Sequence, residues 1–129
     1  MTNINTAKKI LLVEDDETLS DSYIQRFTAE GLEVKRVPNG EEALSAALSF
    51  KPDLILLDIM MPKVDGFNVL DILRNTPETV NIHVIVLSAL SQQEDIDKAK
   101  ALGADDYLVK SQVVLADIVD RVKQQLGFN

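Results

Sequence analysis

Short unbroken apolar runs alternate along the chain with stretches in which apolar residues return every three or four positions. The runs fall at 10–13 (Ile-Leu-Leu-Val), 54–57 (Leu-Ile-Leu-Leu), 82–87 (Ile-His-Val-Ile-Val-Leu) and 107–109 (Tyr-Leu-Val), with a weaker one at 33–37 (Glu-Val-Lys-Arg-Val). Runs this short and continuous fit strands buried on both faces, which requires a parallel sheet covered by helices. The stretches between them carry helix signals. Asn39 followed by Glu42, and Ser91 followed by Glu94, have capping-box spacing, which supplies acceptors to the free N–H groups of a first turn. Leu115, Ile118, Val119, Val122 and Leu126 form one apolar stripe at helical spacing. Gly31, Gly103 and Gly127 fall where helices are expected to end, and Pro52 and Pro77 forbid continuation of the segments before them. The pattern predicts (βα)5, an α/β, doubly wound, three-layer domain. A single domain is expected over residues 1–129, with its core over about 8–127, because no repeat, low-complexity tract or linker divides it.

Polar residues at the ends of the runs carry the chemistry. Glu14, Asp15 and Asp16 come directly after the first run, Asp58 after the third, Ser88 after the fourth and Lys110 after the fifth. The weak second run ends in Pro38 and contributes nothing comparable. Ligands of open parallel sheets bind outside the carboxyl ends of the strands, so four strands aim polar groups at one edge. If the first and third strands are neighbours, Glu14, Asp15 and Asp58 bring up to three negative charges together, and repulsion raises one or more of their pKa values. Lys110 is one remedy. A hard divalent cation is another: Mg2+ (or Mn2+) takes one or two carboxylates, keeps waters and leaves room for a phosphoryl oxygen. At such a site Ser88 can donate to a phosphoryl oxygen, Lys110 pairs with its charge, and Asp58 is a candidate nucleophile forming an acyl phosphate.

Each residue also has a plainer reading. Glu14 and Asp15 fit as acids at a helix N-terminus, stabilised by its dipole. Asp16 is assigned to capping or solvent, Asp65 to a helix cap, and Pro62 and Gly66 to the turn after Asp58. His83, the one histidine, lies inside a strand run, where a phosphohistidine relay would lack an exposed nitrogen.

Composition narrows the classes. The 129 residues are 46% hydrophobic and 26% charged, an ordinary globular balance. Without Cys there are no disulfides, thiolate zinc sites or thiol catalysis. A formal charge of -8 argues against direct nucleic-acid binding, which needs a basic stripe. No apolar stretch approaches the ~20 residues of a membrane span, and the opening MTNINTAKK lacks a signal peptide's apolar core, so a cytoplasmic chain without membrane contact is expected.

Four motifs, LLVEDDE (11–17), LLDIMMPKVDG (56–66), VLSA (86–89) and YLVK (107–110), in this order and spacing, resemble the response-regulator receiver domains of two-component signalling, the CheY-like family. The resemblance covers essentially the whole chain. It implies a flavodoxin-like fold with a five-stranded parallel sheet in the order 2-1-3-4-5. It implies Asp58 as phosphoacceptor, Asp15 and Glu14 as the acidic pair at the metal, and the backbone carbonyl of Met60 as a further ligand. Ser88 resembles the switch hydroxyl, Lys110 the family's lysine and Tyr107 the switch aromatic; Ala89 is small, as the family pattern wants. The implied partners are a histidine kinase or histidine phosphotransfer protein upstream and an output domain or protein downstream, reached through the helix 4–strand 5–helix 5 face. No turnover enzyme is implied, only the chain's own phosphotransfer and slow self-dephosphorylation.

Two departures matter. The family usually follows its lysine with a proline in a cis peptide, and here Ser111 stands there. A cis bond before a non-proline residue costs about 2.5–4 kcal/mol, so the loop either holds that strain or is trans. In the family, the positions two past the acceptor and two past the switch hydroxyl flank the hydrolytic water's route; here they are Met60 and Leu90, neither of which can orient water, so the resemblance implies a long-lived phosphoryl group. Among rivals, a haloacid-dehalogenase-type phosphatase shares the nucleophile, Mg2+ and Lys, and Asp105-Asp106 could imitate its late acidic pair. It needs an Asp two residues past the nucleophile, where this chain has Met60. A phosphorylation-independent binding module is opposed by the intact Asp15, Asp58, Ser88 and Lys110 set. No phosphate-binding glycine motif comes after the first strand, which disfavours a nucleotide-binding domain.

Overall fold

A computed structural model describes residues 7–61 and 64–127; Pro62 and the first six residues lie outside them. The elements alternate as expected: β1 (Lys9–Val13), α1 (Glu17–Ala29), β2 (Glu33–Val37), α2 (Gly40–Phe50), β3 (Leu54–Leu57), α3 (Gly66–Arg74), β4 (His83–Ser88), α4 (Gln93–Ala101), β5 (Asp106–Val109) and α5 (Leu115–Gln125), with a 3-10 turn at Lys110–Gln112. The strands are parallel in the order β2-β1-β3-β4-β5, the flavodoxin-like order.

The continuous apolar runs supply two cores at once, because successive side chains of a strand leave opposite faces. Leu11, Val13, Ile55, Leu57, Val84 and Val86 pack with α2, α3 and α4 through residues such as Ala47, Leu70 and Ala99. Ile10, Leu12, Leu54, Leu56, Ile85 and Leu87 pack with α1 and α5 through Phe27, Ile118, Val119 and Val122. Leu115 and Leu126 extend the α5 stripe as half-buried flanks. Full burial of each such side chain is worth about 1.5–3 kcal/mol.

Register aligns the strand tips. Val13 pairs with both Val37 and Leu57, Leu57 with Val86, and Ser88 with Val109. One ladder continues past the strands: the Asp58 amide donates to the Val13 carbonyl at 3.0 Å and the Glu14 amide to the Val37 carbonyl at 3.1 Å.

Three caps form as expected. The Asn39 side chain accepts from the Glu42 amide at 3.1 Å, Asp16 accepts from Leu19 at 2.9 Å, and Asp65 accepts from Phe67 at 2.9 Å. The Ser91 cap does not form: α4 starts one residue later than that spacing requires, after Gln92, which makes no side-chain cap bond. His83 is also corrected. It opens β4 at the sheet's amino edge with an exposed ring, since a strand's first residue is not enclosed as its middle is. It stands at the opposite edge from Asp58, so exposure does not make it a relay. No peptide bond among the described residues is cis, so Lys110–Ser111 is trans and the strain is not held.

Candidate functional site

The carboxyl edge gathers the polar strand tips into one cluster. Glu14 and Asp58 are buried, at 1% and 4% exposure, because β1 and β3 deliver them from the middle of a sheet covered on both faces. Asp15, the next residue along the β1–α1 loop, is exposed. One carboxylate oxygen from each of the three lies within 4.8 Å of the others.

The charges are held by one cation. The Lys110 ammonium donates to Glu14 Oε1 at 2.8 Å and to Asp58 Oδ2 at 3.0 Å. Backbone amides take the remaining oxygens: Met60 N–H donates to Asp58 Oδ1 at 3.0 Å and Asp16 N–H to Glu14 Oε2 at 3.1 Å. Burial still pushes the Glu14 carboxyl above its usual range; the Lys110 and Asp16 hydrogen bonds oppose the rise and the Asp58 charge adds to it. For Lys110 the balance is reversed. Burial disfavours its charge, but the bonds to Glu14 and Asp58 win and its pKa rises. It stays a cation.

Gly66 fixes the loop beyond Asp58. Its amide donates to the Ile59 carbonyl at 3.1 Å, and a Cβ there would fall 2.4 Å from the Ile59 Cα and 3.0 Å from the Asp58 carbonyl oxygen. The start of α3 therefore rests directly on the backbone carrying the carboxylate, and only glycine permits that approach.

Ser88 and Tyr107 meet at Leu90. The Leu90 amide donates to Ser88 Oγ at 3.1 Å, and the Tyr107 hydroxyl donates to the Leu90 carbonyl at 2.8 Å. Tyr107 is turned inward, 9% exposed, and burial raises its pKa while the Ser88 hydroxyl pulls the other way. Met60, two residues past Asp58, is 54% exposed, and Leu90, two past Ser88, is partly buried.

The sequence pattern missed one residue. Arg36, on β2, donates from Nε to the Glu14 carbonyl at 3.0 Å and from its second guanidinium nitrogen to the Asp15 carbonyl at 3.1 Å. The second strand does contribute to the edge, through a side chain within the run. The available signal was a cation one residue before the tip of a strand beside β1. A cleft of about 360 Å³ lies elsewhere, at the amino edge between Lys8, Asp53, Glu78 and His83, and none of the site residues lines it.

The donor set suits a hard cation. Three carboxylates offer only oxygen ligands, two are buried, and the exposed Asp15 leaves an open side for water and a phosphoryl oxygen.

A family model described as the response regulator receiver domain matches residues 10–123. The transcriptional regulatory protein PrrA of Mycobacterium tuberculosis is 41% identical over 121 residues, covering 94% of this chain and 51% of that protein. The DNA-binding dual master transcriptional regulator RpaA of Synechocystis is 40% identical over 102 residues, covering 79% of this chain and 42% of its own length. This chain thus spans about half the length of the curated relatives it matches. Among solved structures, the Francisella response regulator 1452 receiver domain superposes with a TM-score of 0.84 at 32% identity, covering 92% of this chain and 95% of that one. The BeF3-activated N-terminal receiver domain of Klebsiella pneumoniae RstA gives 0.85 at 28% identity, covering 92% and 98%. A family match running from the first strand into the last helix, on a sheet wound in the same order, makes this chain a member of the response regulator receiver domain family.

Proposed function

We propose that the chain is a phosphorylation-dependent switch, a single receiver unit over residues 1–129 in which Asp58 takes a phosphoryl group from a phosphohistidine. The observation that carries this reading is the sharing of Lys110 by two buried carboxylates, Glu14 and Asp58, beside an exposed third. An Asp58 oxygen forms the new O–P bond as the P–N bond to the donor's imidazole breaks, and the bonding pair leaves with the imidazole nitrogen. Glu14, Asp15, Asp58 and the Met60 carbonyl would hold Mg2+ or Mn2+, which when bound supplies positive charge to the phosphoryl oxygens. Lys110 lies close enough to both carboxylates to follow the developing charge without leaving the site.

Ser88 and Tyr107 are the readout. A Ser88 hydroxyl that turns to donate to the phosphoryl group gives up its contact with the Leu90 amide, and the Tyr107 bond to the Leu90 carbonyl is reset with it. That change reaches the face of α4, β5 and α5, where an output domain or protein binds. Moving a two-state equilibrium from about 1:99 to 99:1 takes about 5.5 kcal/mol of differential interaction, which a phosphoryl group making several charge-assisted hydrogen bonds can largely supply. Upstream, the donor is a histidine kinase or a histidine phosphotransfer protein, in the cytoplasm.

Incubation with acetyl phosphate in the presence of Mg2+ tests the reading. Intact mass should show one phosphoryl adduct that does not form with chelator present and is absent in Asp58→Asn, and beryllofluoride binding should need Mg2+ in the same way. A folded wild type that gains no adduct identifies a phosphorylation-independent binding module instead.

A further inference from the structure

Arg36 stands apart from the other cations of the carboxyl edge. Lys110 bonds carboxylates; Arg36 bonds only backbone carbonyls, those of Glu14 and Asp15, with two nitrogens of one planar fork. Its position follows from the strand. Val34 packs on the layer of α1 and α5 and Val37 on the layer of α2, α3 and α4, so alternation puts Arg36 on the α1 side, where the β1–α1 loop passes. With the Glu14 amide on the Val37 carbonyl, β2 holds this loop at three points.

We propose that Arg36 is a positioning residue for the divalent cation, fixing the backbone that carries Glu14 and Asp15 so that their carboxylates face Asp58; this rests on the metal role proposed above. The fork is suited to the task because it leaves every carboxylate oxygen free. Cation binding need not displace it, whereas Lys110 sits on two of the oxygens concerned. Charge and clamp make opposite predictions. A guanidinium near a cation site repels the cation, so removing the charge alone tightens binding. Removing the clamp frees the loop and weakens binding, as loss of a ligand's outer support does, by about tenfold.

The sign of the change is therefore decisive. Mg2+ affinity is read by amide NMR titration of wild type, Arg36→Ala, Arg36→Lys and Lys35→Ala. Lys35 is the exposed neighbour on the opposite face of β2, so its loss matches the charge change without touching the loop. Arg36→Ala should bind Mg2+ about tenfold more weakly, and saturating Mg2+ should restore full beryllofluoride uptake. Arg36→Lys, which keeps the charge and loses the fork, should also weaken, and it carries the test if the alanine variant does not fold. Lys35→Ala should bind like wild type or slightly tighter. Unchanged or tighter binding in Arg36→Ala, wild-type affinity in Arg36→Lys, or an equal loss in Lys35→Ala overturns the clamp. A wild type that takes up no Mg2+ overturns the metal site, and the clamp with it.

Discussion

At the amino edge of the sheet, Arg74 donates to the carbonyls of Gly103, Val80 and Ile82 and to the Asp105 carboxylate, and Asp105 accepts from the Val84 amide. At the carboxyl edge, three carboxylates gather and one ammonium bonds two of them. Both edges join acids to a cation, with opposite consequences. Arg74 finds a separate acceptor for most of its donors, and that network ties the α3–β4 and α4–β5 connections together. The carboxyl cluster sets three acids against one lysine; burial raises the Glu14 pKa, and the Asp58 charge adds to the rise. One edge is satisfied and stabilises; the other is left unbalanced, which is what a site awaiting a cation and a phosphoryl group requires.

Substitutions at the two edges should separate these roles. Arg74→Ala removes charge-assisted bonds from half-buried carbonyls and should cost about 2–4 kcal/mol in denaturant unfolding, while leaving Asp58 phosphorylation intact in the folded protein. A large loss of phosphorylation rate there would erase the contrast. Lys110→Ala should slow phosphorylation by acetyl phosphate by on the order of 100-fold, a loss of function that Arg74→Ala does not share. Met60→Asn places a group able to orient water beside Asp58 and should shorten the adduct's lifetime several-fold from the minutes or longer expected of the wild type. A wild-type half-life of seconds refutes that expectation. The smallest effect concerns Glu30, which joins α1 to α5 through Lys123 and bonds Arg26 within its own helix. Hydrogen bonds to Lys123 and Arg26 hold its carboxyl below the usual glutamate range. This pairing contributes stability above the unfolded pKa and loses it as pH falls through the lower folded value. Glu30→Gln should slightly flatten the acid side of the stability profile and leave neutral-pH phosphorylation unchanged.

The sequence was most legible where burial dictates pattern. Apolar runs revealed four strands plainly because both their faces are covered, and the half-exposed edge strand β2 only weakly; polar residues at the strand tips marked Glu14, Asp15, Asp58, Ser88 and Lys110. Beginnings were harder: His83 reads as interior from its neighbours, yet a strand's first residue can lie open. Ser91 had the spacing of a cap, but α4 began one residue on, after Gln92. Arg36 was invisible for another reason. Its partners are carbonyl oxygens, which every residue has, so no residue pattern records them.

Parallel pairing gives the site a place in the life of the chain. β1 lies beside β3, and Ile10 pairs with Leu54, so β1 has no central neighbour until the whole α1–β2–α2 segment has been closed between them. Closing so long a loop precedes any contact between the Glu14–Asp15 loop and Asp58. A partly folded chain therefore holds its acids apart and has no assembled carboxylate cluster. On the switch reading proposed above, uptake of a phosphoryl group would therefore also certify that the sheet has finished folding.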